Sequence, residues 1–190
     1  MKRRDFLLIS SASIAALATG CTTTGTGSST DAAAKRREID AGVDGAMSRL
    51  FSSARGANEL AQKAQGILVF PRILAAGFVV GGEYGEGALR VGGQSVAYYR
   101  TTSASFGLQA GAQSKAVILM FMTPDALQKF QASKGWTAGV DGSIAVAKIG
   151  AGGDLDTNTV RAPIVGFVVT NAGLMANLSL EGTKITKLEI

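Results

Sequence analysis

The chain has 190 residues, 25 of them Gly, one Cys and no His, with 19 Lys and Arg against 14 Asp and Glu for a formal net charge of +5. Without imidazole there is no His-based triad, no HExxH zinc helix and no His general base near neutral pH; with one thiol there is neither an intramolecular disulfide nor a cysteine metal cluster. A hydrophobic fraction of 46% suits one domain with a real core, and the Gly content, about twice the ordinary usage of about 7%, points to close backbone approaches, turns and bulges in a β-rich fold.

Residues 1–21 read MKRRDFLLISSASIAALATGC. Lys2, Arg3 and Arg4 form a basic start, Phe6 to Ala18 an apolar stretch, and Thr19 and Gly20 are small residues ahead of Cys21. The pattern is that of a signal peptide over 1–20, too short to span a bilayer comfortably as a permanent helix. Ala18-Thr19-Gly20-Cys21 resembles the lipobox of bacterial lipoproteins, departing from it at Ala18, where Leu is usual. That resemblance implies cleavage before Cys21, acylation of its thiol, and, because Thr22 rather than Asp follows, an outer-membrane lipid anchor with the domain in the periplasm or at the cell surface. Arg3-Arg4-Asp5-Phe6-Leu7 also resembles a twin-arginine export signal. From Thr22 to Ala34 the sequence TTTGTGSSTDAAA has no periodicity, so 21–34 is expected to be the lipidated Cys and a flexible tether. Loss of residues 1–20 removes three basic residues and one acidic one and leaves a net +3. Charge and compartment together argue against nucleic acid as a partner.

The domain is expected over 35–190. Lys35 to Gln65 reads as helical: Val43, Ala46, Met47, Leu50, Phe51 and Ala54 recur at three- and four-residue spacing, a stripe that suits packing on the core better than on a membrane. Gly56 interrupts, Asn58 is placed to cap a shorter helix with Leu60, Ala61 and Ala64, and Gly66 is a natural stop. Strands follow: Ile67 to Phe70, stopped by Pro71; Gly77 to Val80, leading into a Gly-rich turn over Gly81 to Gly87; Val96 to Arg100; and Phe106 to Gln113, with Gly and Gln on one face. Ala116 to Met122 is apolar on both faces and reads as a central strand. Thr123-Pro124-Asp125 opens a helix to about Ala132 that buries Leu127 and Phe130. Further strands are expected at Ser143 to Ile149, Pro163 to Thr170, Leu174 to Leu180 and Ile185 to Ile190. Short connections favour antiparallel neighbours. The fold class is α+β: N-terminal helices, then a curved, mainly antiparallel sheet or barrel.

No motif makes a persuasive enzyme. Neither Gly81 to Gly87 nor Gly150 to Gly153 has the GxGxxG order, and GxxxxGK[ST], GxSxG and SxxK are absent. Glu83 with Glu86, and Asp154 with Asp156, are carboxylate pairs that suit surface turns better than Ca²⁺ binding or acid–base work. Asn177-Leu178-Ser179 matches a glycosylation pattern but falls in an expected strand. No metal and no cofactor is expected.

Gln65-GILVFPRILAAGFVVGGEYGEG-Ala88 resembles the opening of the SYLF domain, also called the DUF500 lipid-binding or actin-binding family. The likeness continues at Tyr98-Tyr99-Arg100, Ser105 to Ser114, Val117 to Met122, Ala126-Leu127, Ala162-Pro163-Ile164 and Gly173 to Gly182. It spans about 35–187 and departs most over Ala147 to Arg161. The resemblance implies phospholipid binding, with an N-terminal amphipathic helix contributing, and a small core related to the BON domain. Some eukaryotic members also bind actin, which a periplasmic lipoprotein would not meet. Basic residues gather over 35–72, so Lys35, Arg36, Arg37, Arg49, Arg55 and Arg72 are the expected contacts to anionic head groups of membrane phospholipids. The alternative is a structural envelope protein binding another protein or peptidoglycan; the sequence identifies no particular protein partner.

Overall fold

The computed structural model describes residues 29–77, 80–106, 113–147, 161–171, 173–175 and 179–190. Cys21, Asp154, Asp156 and the Asn177 motif lie outside them. The chain is α+β, with helices packed against a strongly curled mixed sheet that forms a half-barrel.

Helix α1 (Ser29–Ser53) begins earlier than expected: residues 29–34, read as the end of the tether, are helical. Asp31 in the first turn and Ala32 to Ala34 behind it explain this, since an acid complements the N-terminal dipole and Ala has the highest helix propensity. Gly56 does break the helical region. It adopts φ 82° and is itself the N-cap of α2 (Ala57–Lys63), so Asn58 is not the cap. The apolar stripe packs on the sheet: Ile39, Val43, Ala46 and Leu50 are buried against Val69, Ala88, Ile118, Met120 and Phe167.

Strand β1 (Gly66–Gly77) pairs with β2 (Val80–Val91) on one side and β4 (Gln113–Phe121) on the other. Pro71 does not end it. The register jumps from Val69↔Ala88 to Arg72↔Glu86, so Phe70 and Pro71 together oppose Gly87 in a bulge, where a residue without N–H is tolerated. The run Gly81 to Gly87 is likewise not a turn but the body of β2, paired on both sides. The turn comes at Gly92-Gly93, whose φ values of 59° and 83° match a two-residue hairpin into β3 (Gln94–Phe106). Gly66 opens β1 rather than closing a helix, and a Cβ there would lie 2.8 Å from a Leu127 methyl.

Of the strand expected over 106–113, Phe106 ends β3 and Gln113 opens β4; 107–112 lie outside the described residues. β4 is central, flanked by β1 and β7 (Ile164–Thr170). Thr123 caps α3 (Pro124–Ala132), its hydroxyl accepting from the Ala126 N–H at 3.3 Å, and Leu127 and Phe130 are buried. Of the strand expected over 143–149, β6 (Ala145–Val146) is strand, and it runs parallel to β7. Of that over 174–180, the described part is β8 (Gly173–Leu174). β5 (Trp136–Thr137) pairs with β9 (Lys184–Leu188), which closes on β3.

The sheet thus has two cores. Alternate residues of β4 face opposite ways: Ala116, Ile118 and Met120 toward α1, and Val117, Leu119 and Phe121 into the curl. The inner core centres on Phe130, whose ring lies 4.9–5.7 Å from those of Phe121, Tyr99 and Trp136, within the range of favourable aromatic pairs. No described helix is long and apolar enough to cross a membrane.

Candidate functional site

At 100° per residue, α1 has two polar flanks beside its buried stripe. One carries Arg36, Asp40 and Asp44. Here Ser95 Oγ and Tyr98 Oη donate to the Asp40 carboxylate at 2.7 and 2.9 Å, and Arg90 pairs with Asp44 at 2.6 Å. Burial and then the Asp40 carboxylate push the Tyr98 phenol above its ordinary value. This flank is a clamp to the β2–β3 hairpin, with Asp40 and Asp44 both engaged by hairpin residues.

The other flank carries Glu38, Gly42, Gly45 and Arg49, and beside it lies a recess of about 600 Å³. Its far wall is the bulge at Pro71 and Arg72, its floor Leu74, Tyr84, Glu86 and Ser114. Gly42 makes the approach possible, because a Cβ there would come within 3.0 Å of the Pro71 ring. Leu74 and Tyr84 are direct neighbours across β1 and β2, and remain 44% and 47% exposed. At the rim Lys35 Nζ lies 2.6 Å from Glu86, and the Tyr84 hydroxyl donates to the same carboxylate at 2.8 Å. Desolvation opposes charge on Glu86, but the hydrogen bonds from Lys35 and Tyr84 outweigh it and hold the carboxyl below its ordinary value. The bond to Glu86 in turn raises Lys35, while burial and then Glu86 raise Tyr84.

The six expected cations therefore do not form one patch. Arg49 and Arg72 both line the recess, and neither has an ion-pair partner among the described residues. Lys35 borders it but is engaged by Glu86. Arg36 lies on the clamp flank near Tyr98; Arg37 is exposed, its Nε donating to the Ala33 carbonyl; Arg55 is exposed in the turn before α2. Glu38, Leu74, Tyr84 and Ser114 were not anticipated. The helical spacing of Glu38, Gly42, Gly45 and Arg49 was readable in the sequence, whereas Leu74 and Tyr84 meet through the β1–β2 register.

Glu83 and Glu86 are not a pair. They stand on opposite faces of β2, and Glu83 is held inside the curl by Lys115 at 2.8 Å and Ser103 at 3.1 Å. A second groove, of about 830 Å³, runs between α1, α2 and the Gly92-Gly93 turn over Met47, Phe51 and Ile67. Its cation, Arg90, is already paired with Asp44. Among the described residues no group of His, Cys, Asp and Glu is arranged to hold a metal ion.

Compared with known families, residues 102–189 match the model described as Ysc84, Las17-binding protein actin regulator. No curated protein matches the chain.

Proposed function

Because residues 102–189 belong to the Ysc84 (SYLF) domain family, we propose that the chain is a non-catalytic, lipid-anchored envelope protein whose recess beside α1 binds membrane phospholipid head groups. The family is associated with lipid binding, which supplies the ligand class. The observation that carries the site is that Arg49 and Arg72, both without ion-pair partners among the described residues, line one recess with the exposed Leu74 and Tyr84. Guanidinium is suited to phosphate because its donors form a rigid fork. An apolar floor beside it suits the glycerol and upper acyl region of the same lipid.

Near an anionic surface each Arg contributes about 1 kcal/mol. Arg36, Arg37 and Arg55 would add diffuse attraction rather than a defined contact. Co-sedimentation of the full chain with phosphatidylglycerol vesicles at low salt tests the site. The apolar 6–18 segment contributes equally to every variant, so the comparison isolates the recess. Replacing both Arg49 and Arg72 with Ala is expected to weaken binding roughly 30-fold, the equivalent of about 2 kcal/mol. Binding unchanged by the pair would reject the recess as the site.

The anchor is proposed at Cys21, with the outer membrane as its destination. Multiple acyl chains hold a protein stably where one does not. In a bacterial host, Cys21→Ala is expected to yield a chain with no acyl mass; intact-mass spectra showing acylation of that variant would exclude Cys21 as the attachment point.

A further inference from the structure

The recess is not purely cationic. Glu38 lines it on the same face of α1 as Arg49 and makes no ion pair among the described residues, whereas Glu86 is already held by Lys35 and Tyr84. The side chain of Arg49 folds back along the helix: a Cβ on Gly45 would lie 3.7 Å from its Nη1. The guanidinium therefore sits level with residue 45. Seven residues separate that level from Glu38, or about 10 Å of helix rise. Gly42 and Gly45 carry no side chain between these charges, and Pro71 packs against Gly42 at the edge of this stretch.

We propose that this recess is built for a phosphoethanolamine head group, with phosphate on Arg49 and Arg72 and the primary ammonium on Glu38. The proposal rests on the reading of the recess as a head-group site and names the class of head group. From phosphorus to nitrogen the group spans four single bonds of about 1.5 Å, or roughly 5 Å end to end. Adding the P–O bond of about 1.5 Å and charge-assisted contacts of about 2.8 Å at either end gives a reach of about 12 Å, enough to bridge the rise of about 10 Å along α1. The chemistry matches too. A primary ammonium has donors and no acceptor, and a carboxylate is its acceptor-only complement. Choline lacks those donors. Lys35 acts on Glu38 electrostatically but is bonded to Glu86, so a glycerol head group or a bare phosphate would leave Glu38 without a bonded cation.

The test uses the full chain and vesicles of phosphatidylcholine alone, or mixed one to one with phosphatidylethanolamine or phosphatidylglycerol. Salt is raised until exposed charges are screened over distances beyond a few ångströms. Ethanolamine lipid is expected to bind roughly fivefold more tightly than phosphatidylcholine, as one partly exposed ion pair allows. Glu38→Gln should erase that preference without weakening phosphatidylglycerol binding, and Arg49→Ala with Arg72→Ala should lose both. Competition by soluble glycerophosphoethanolamine would show that the free group suffices. A Glu38-dependent preference that it does not compete would assign the site to the lipid-borne group.

Equal binding of ethanolamine and choline lipids, or a preference that survives Glu38→Gln, overturns the proposal. If the two Arg substitutions still weaken phosphatidylglycerol binding in that case, the head-group site stands without ethanolamine selectivity. If they change binding to no vesicle, the head-group reading itself fails.

Discussion

At Gly87 the two residues of the β1 bulge, Phe70 and Pro71, crowd against a single position of β2. A Cβ there would stand 2.0 Å from the Val69 carbonyl oxygen, a backbone atom that no change of rotamer can move. Gly87→Ala is therefore expected to lower stability by about 3 kcal/mol or more in urea titration, through overpacking rather than a lost contact. Gly82, five residues earlier in the same strand, provides the contrast, since its nearest neighbour to a built Cβ is at 3.9 Å. Gly82→Ala should be neutral or stabilising by up to about 1 kcal/mol, by restricting the unfolded chain. Equal losses at the two positions would remove the bulge as the explanation. The glycine-rich run was plain in the sequence, but which glycine is indispensable depends on its partner strand. Composition cannot distinguish Gly82 from Gly87; the register does.

Among the elements, α1 carries three distinct roles on one helix. Its stripe of Ile39, Val43, Ala46 and Leu50 fills the outer core, the Asp40 and Asp44 flank holds the β2–β3 hairpin, and the Glu38 to Arg49 flank borders the recess. The Lys35–Glu86 pair joins the first turns of this helix to β2 and should leave a signature in pH. Because the folded carboxyl of Glu86 lies below 4.5, its contribution is present above that value and is lost as pH falls through the lowered folded value. Because Lys35 lies above 10.5, its contribution is full below 10.5 and is lost as pH rises through the raised folded value. The stability difference between wild type and Glu86→Gln is expected to be flat between those limits and to shrink at both ends. Solvent exposure of Lys35 keeps the difference modest. Urea titrations of both proteins across pH would show it, and a difference that persists into strong acid would remove the pair as its source.

Across the whole molecule, the strand order joins distant parts of the chain. β9 completes the sheet against β3, while β4 is sandwiched between β1 and β7. The family match at 102–189 begins inside β3, and so omits β1 and β2, which lie between β3 and β4 in the sheet. A fragment of residues 102–190 would expose one long edge of β4 and leave β9 with only the end of its partner strand. It is expected to lack a cooperative thermal transition and native near-ultraviolet dichroism of Trp136, both of which the full chain should show. A cooperatively folding fragment would mean that the curl is stable without its first two strands. The recess depends on the same assembly, since Arg49, Arg72, Tyr84 and Ser114 come from four different elements.

Local chemistry made much of this architecture legible. The helix-first order, the Gly56 break, the Thr123 cap, the doubly apolar β4 and the buried face of α1 each follow from signals within a few neighbouring residues. The absence of His and the single Cys narrowed the available chemistry in the same way. What the sequence by itself could not decide is which distant groups share a site: that Pro71 bulges instead of stopping a strand, that Glu83 and Glu86 part to opposite faces, and that Arg49 and Arg72 line one recess while Lys35 is engaged by Glu86. Periodicity and capping act over one or two turns of chain, but strand register and helix docking are set by the packing of the two cores on either face of the sheet. That packing selected one pair of cations from six and placed Glu38 in the same recess.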